Sequence, residues 1–97
     1  MRALSTVVAN DERVQVTRWH MPPGTETGAH THGMPYVVVY LTDGIVTSVG
    51  ADGEIDVPVA QHSVTSRPAG LSHNVCNRTG RPVEFLEIEL KPAAGGG

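Results

Sequence analysis

Turn signals interrupt this chain roughly every 8 to 12 residues, a spacing that suits short strands and leaves no helix-period segment. Asn10-Asp11, Pro22-Pro23-Gly24, Gly33-Met34-Pro35, Asp43-Gly44, Gly50-Ala51-Asp52-Gly53, Pro68-Ala69-Gly70 and Asn77-Arg78-Thr79-Gly80 all set a turn or break a ladder. Between them lie fourteen valines and three isoleucines against eight alanines, a balance that favours strands. Eight or nine strands are expected, over 4–9, 13–21, 29–32, 36–42, 45–49, 54–59, 63–67, 71–77 and 83–91. The expected fold class is all-β, a sandwich or barrel. Asp43-Gly44 reads as a tight hairpin turn. Pro58, which has no N–H to give a ladder, belongs on a sheet edge. With 97 residues and no visible repeat or linker, the chain is expected to form one domain over 1–97. Residues 92–97, rich in Ala and Gly, are expected to form a flexible tail.

The chemistry concentrates at His30-Thr31-His32. In a strand, side chains at i and i+2 leave the same face, so both imidazoles point one way. A third histidine, His73, stands in a second motif-like stretch running from Pro68 to Asn77. Three neutral imidazoles suffice to hold a divalent metal while leaving coordination positions open.

Composition narrows the partners. A formal charge of -3 with no run of Lys or Arg provides no electrostatic footprint for nucleic acid or an anionic membrane. No apolar stretch approaches a membrane span. The lone cysteine, Cys76, excludes an intrachain disulfide, and nothing at the N-terminus resembles a signal peptide. A reducing cytoplasm is the expected address.

Taken with their spacing, these residues resemble the two motifs of the cupin family. The first motif runs Gly, five residues, His-x-His, four residues, Glu, six residues, Gly. Gly24, His30, His32 and Gly44 are in place, and Val37 occupies the position of the metal-binding glutamate. The second, Pro-x-Gly, two residues, His, three residues, Asn, is met by Pro68, Gly70, His73 and Asn77. The glycine that usually opens it, six residues before the proline, is His62.

The resemblance covers 13–90 and implies a conical antiparallel jelly-roll barrel, the double-stranded β-helix, commonly dimeric. It also implies a metal near the barrel's centre, held by histidines of both motifs. Typical cupins hold Fe, Mn, Ni, Zn or Cu with three histidines and one carboxylate. With Val37 apolar, the implied site is three neutral imidazoles completed by water or substrate. Such a complex is one unit more positive, which favours an anionic ligand. Replacing Val37 by Glu is then expected to restore a fourth ligand. Three-histidine cupins are similar to thiol and diketone dioxygenases, whereas zinc in the same cage resembles a hydrolytic site. Imidazole suits Zn, Cu, Fe and Ni alike, so the ion's identity stays open.

Around the ion, Val37, Val39 and Leu41 are expected to line the interior, with Val64 or Leu86 and Ile88 as companions. Together they make a small, mostly apolar cavity for a compact ligand with chelating oxygens. Tyr36 either reaches substrate with its hydroxyl, as a catalytic group, or packs on the outer face. Among Glu84, Glu87 and Glu89, one sharing the inner face with Phe85 is a possible base, against solvated glutamates on an outer face. Arg18 and Arg67 are each able to clamp a substrate carboxylate. His20 and His62 read as structural or exposed, Cys76 as a small buried hydrophobe, and Asn77 as a turn stabiliser. Three function classes follow: a metalloenzyme with a dioxygenase-like reaction, a non-catalytic small-molecule or metal-binding accessory protein, and a metal-free sugar-type isomerase or epimerase. In each the partner is a small molecule, and exposed edge strands favour a homodimer.

Overall fold

The computed structural model describes residues 1–92, so most of the expected tail, from 93 onward, lies outside the described residues. Nine strands follow one another: β1 (Leu4–Asn10), β2 (Val14–Met21), β3 (His30–Thr31), β4 (Tyr36–Tyr40), β5 (Gly44–Gly50), β6 (Gly53–Val59), β7 (Val64–Arg67), β8 (Ser72–Cys76) and β9 (Val83–Leu90). The described residues contain no helix. None is therefore long and apolar enough to cross a membrane. The strands form two sheets, one ordered β1-β2-β9-β4-β7 and one ordered β3-β8-β5-β6, and all their pairings are antiparallel.

Among the described residues only β1–β2 and β5–β6 are hairpins, and every other connection passes from one sheet to the other. Gly50 and Gly53 face each other across Ala51-Asp52, as the turn residues there require. Pro58 lies on β6, the edge of its sheet, where a missing N–H costs no ladder bond. Asp43-Gly44 is different. It looks like a hairpin turn, but β4 and β5 belong to different sheets. The Asp43 carboxylate accepts a bond from the Gln61 N–H at 2.8 Å, tying this crossing to the next one. At Gly44 a Cβ would stand 2.9 Å from Val83 Cγ2, so the glycine serves close approach rather than hairpin geometry. His62, where the family motif has glycine, adopts φ 70°, a left-handed conformation that is costly for a side-chain-bearing residue.

Between the sheets sit Met21, Tyr36, Val38, Val46, Val59, Val83 and Phe85. Their spacing is the period of two that a half-buried strand imposes. On β9, Val83, Phe85 and Glu87 point inward, while Leu86 and Ile88 share the outer face with Val16, Val37 and Val39. Phe85 packs against Trp19 at 6.3 Å and Tyr40 at 5.8 Å between ring centroids. Burying a ring of this size contributes about 2 to 3 kcal/mol.

The inward residues of β4 are Tyr36, Val38 and Tyr40, so the expected lining by Val37, Val39 and Leu41 is overturned. Gly33-Met34-Pro35 carries the chain across to the other sheet, and the side-chain alternation continues in phase through it. Val37 pairs with Ile88 and Val39 with Leu86 on the far side of the sheet. Leu41 lies beyond the end of β4, where its N–H bonds the Glu84 carbonyl at 2.9 Å. Val64 is likewise exposed rather than interior.

Candidate metal centre

Backbone pairing brings the three histidines together. His30 on β3 stands directly opposite His73 on β8. The Leu71 carbonyl accepts from the His32 N–H at 2.9 Å, and the His32 carbonyl accepts from Gly70 N–H at 2.8 Å, which extends that pairing past the strand's end. His30 and His32 then project from alternate positions of one ribbon to the same side. Their Nε2 atoms lie 2.9 Å apart, and His32 Nε2 lies 3.2 Å from His73 Nε2.

These distances suit a shared cation. Metal–nitrogen bonds of about 2.0–2.1 Å place neighbouring nitrogens about 2.9 Å apart at right angles and about 3.3 Å apart in a tetrahedron. The protons agree. His30 Nδ1 lies 2.7 Å from the Gly28 carbonyl, which can only accept, so Nδ1 carries the proton and Nε2 keeps its lone pair. His73 Nδ1 has the Ser48 hydroxyl at 3.4 Å. Burial, then the neighbouring His30 and His73, push His32 down to about 4. His73 is also lowered, by burial and by the charges of His30 and Arg67. A neutral ring is the form that ligates. Three lone pairs aimed at one another repel unless a cation or proton lies between them, and the donor set fits a divalent transition metal.

The opposite wall comes from the five-stranded sheet. The Tyr36 ring stacks on His32, with centroids 3.8 Å apart and planes 22° apart. Glu87 sends Oε2 to within 3.9 Å of His32 Nε2, and only 13% of its side chain is exposed. Burial and the nearby Glu89 push its carboxyl up to about 7. Burial and Glu87 raise the Tyr36 hydroxyl, which stays protonated at neutral pH. Beyond these groups opens a cavity of about 520 Å³ walled by Val38, Val46, Val57, Phe85 and Tyr40.

Sequence patterning alone did not single out Glu87. Both faces of β9 carry apolar residues, and the deciding signal is its i−2 neighbour Phe85, whose ring belongs to the core. The remaining polar residues sit elsewhere. Arg18 and His20 both bond Glu84, each at 2.8 Å, on the outer face of the sheet. Asn77 is fully buried and donates to the Met21 and Arg81 carbonyls, fixing the crossing after β8. Cys76 is buried, with its thiol raised by burial and Glu26. Arg67, in contrast, lines the cavity.

The sequence profile of the cupin domain family matches residues 17–89. The chain is a cupin. It is 41% identical over 90 residues to the "Beta-alanine degradation protein BauB" of Pseudomonas aeruginosa, covering 93% of this cupin and 95% of that protein. A crystal structure of a cupin domain from Bordetella pertussis superposes with a TM-score of 0.92 at 41% identity, covering 94% of this cupin and 95% of that chain. A double-stranded β-helix protein from Klebsiella pneumoniae gives 0.78 at 21% identity, with 97% and 81% covered, a likeness of fold alone. The two facing sheets are the double-stranded β-helix, and the three histidines come together on the paired β3 and β8 of the four-stranded sheet.

Proposed function

We propose that this cupin is a one-domain metalloenzyme that holds one divalent transition metal through His30, His32 and His73. Its substrate is a small, oxygen-chelating molecule in the adjoining cavity. The supporting observation is the convergence of three ring nitrogens, at 2.9 and 3.2 Å, on the wall of a cavity large enough for a compact substrate. A bound metal supplies Lewis acidity and, as ferrous iron, dioxygen chemistry. The protein's own residues do the rest. Tyr36 donates a hydrogen bond from a neutral hydroxyl beside His32. Glu87 takes or returns a proton near neutral pH from the side facing the imidazoles. The valine and phenylalanine walls exclude water and strengthen the electrostatics of whatever they enclose. Both groups favour turnover over passive binding. A metal-free isomerase needs a His–Asp or tyrosine acid–base pair in place of the ion, and a metal bound by all three histidines would remove that reading.

The reaction we infer is dioxygenase-like. The relative named for beta-alanine degradation supports a place in the catabolism of a small amino acid or of what is formed from it. Protein loaded anaerobically with ferrous iron should consume oxygen with at least one of a panel of small diketones, thiols and keto acids, read at an oxygen electrode. Silence across the panel would remove the oxidative chemistry while leaving the metal site to be tested by itself.

A second copy of the chain is the macromolecular partner we propose, in a cytoplasmic setting. The outer face of the five-stranded sheet carries the rows Val16–Ile88–Val37 and Leu86–Val39–Val64, with Leu90 also exposed there. Beside them runs β1, exposed along its whole length, with Leu4, Val7 and Val8 open to solvent. Apolar rows of this kind mark interfaces more often than free surface. Light scattering on the purified protein should give twice the chain mass. A monomer at micromolar concentration would refute the pairing.

A further inference from the structure

We propose that Arg67 anchors a carboxylate of the ligand, so that the cavity takes small carboxylic acids that carry a metal-chelating oxygen at their other end. This deepens the metal site proposed above and presupposes it for the chelating end alone.

Arg67 closes β7 and stands directly opposite Tyr36 in the β4–β7 pairing. Tyr36 in turn lies against His32, so one cross-strand step and one ring separate the guanidinium's strand from the imidazoles. The side chain belongs to the cavity lining and is also exposed, which puts it where the cavity opens to solvent. Tyr36, Tyr40 and His73 belong to the same lining.

No ion pair among the described residues uses the Arg67 charge. Among the described residues the arginines with ion pairs are Arg18, with Glu84, and Arg78, with Glu54. Glu87, the carboxylate in the same cavity lining, approaches His32 at 3.9 Å and forms no ion pair with Arg67. A guanidinium presents a planar fork of donors matched to a carboxylate, and a ligand supplies what the chain does not. Tyr36 lies between the two ends, and the same cavity is lined by the apolar Val38, Val46 and Phe85, a wall suited to a short carbon chain. The charge sum also favours an acid. Three neutral imidazoles leave a divalent ion uncompensated, and Glu87 offsets one charge at most.

The test uses zinc-loaded protein, with 3-hydroxypropionate and its uncharged counterpart 1,3-propanediol as probes in calorimetric titrations. Wild type should bind the acid at least tenfold more tightly than the diol. Arg67→Gln should lose about tenfold on the acid and nothing on the diol, with zinc content and melting temperature unchanged. Arg67→Lys should recover part of the loss, because the charge is retained and the fork is not. Equal acid binding by wild type and Arg67→Gln overturns the anchor, as does a wild type that binds the acid no better than the diol or does not bind it at millimolar concentration. The two proposals fail separately. Protein that takes up zinc but is blind to the carboxylate removes the anchor alone. Protein that takes up no zinc yet binds the acid through Arg67 removes the metal site alone.

Discussion

The two walls of the cavity are built from different sheets and differ in kind. The four-stranded sheet's wall carries His30, His32 and His73, rings held by backbone pairing and, for His30, by a carbonyl behind the ring. The five-stranded sheet's wall carries Tyr36, Glu87 and Arg67, groups that can donate, carry a proton or bear charge. Metal affinity should therefore belong to one sheet and the handling of substrate to the other. Substitutions on the two walls should separate the two properties.

The largest effect is expected on the histidine wall. His73→Ala removes one of three donors while the valine core stays intact, so divalent affinity should fall at least about a hundredfold with the circular dichroism spectrum unchanged. Full metal content in that variant would mean His73 is not a ligand. On the facing wall, Glu87→Gln keeps the shape and removes the exchangeable proton. Turnover of the iron-loaded enzyme should drop about a hundredfold, while metal affinity moves by less than tenfold. Equal losses in both would merge the walls into one unit.

The walls also titrate in opposite senses, which gives a thermodynamic version of the same comparison. His32, at about 4 in the folded protein against an ordinary 6.5, binds its proton more readily when unfolded. Its contribution to stability is present above pH 6.5 and is lost as pH falls toward 4. His73, also lowered, acts in the same direction. Glu87, at about 7 against 4.5, contributes below pH 4.5 and loses that contribution as pH rises through 7. Between pH 4.5 and 6.5 the carboxyl therefore opposes the rings. In chelator-stripped protein, Glu87→Gln should make stability rise more steeply with pH than wild type, by up to about 1.4 kcal/mol per pH unit. Parallel urea-denaturation profiles for the two proteins would show that Glu87 does not hold its proton in the fold.

The smallest expected effect is a null. Val37 stands at the motif position of the family's glutamate but faces Ile88 on the outer side of the sheet. Val37→Glu should leave divalent affinity within about twofold of wild type, and tighter binding would mean that the strand turns over.

That position marks the limit of what the residues alone disclose. The strands were legible because valine runs and turn residues act locally. The three histidines were legible because two share a strand face and the third keeps a motif spacing. Counting on by twos from His30 and His32 leads to Tyr36, Val38 and Tyr40, so a lining by Val37, Val39 and Leu41 needs a change of phase at Gly33-Met34-Pro35 that the strand does not make. A nonlocal decision, in contrast, turned Asp43-Gly44 from an apparent hairpin into a passage between layers. Glu87 was legible as a candidate, since alternation puts it with Glu89 on the face of Phe85, and only the fold shows that Glu87 is the one that meets His32. Arg67 was visible as a cation, and only the fold separates it from Arg18, which is bound to Glu84 outside.

The most direct measurement is a calorimetric titration of chelator-stripped protein with zinc and with ferrous iron, read for stoichiometry. A convergent three-imidazole site predicts one ion per chain with submicromolar affinity, weakening with release of a proton as pH is lowered toward 4, where His32 takes up its own. Absence of saturable binding at micromolar protein, for both ions, would contradict it.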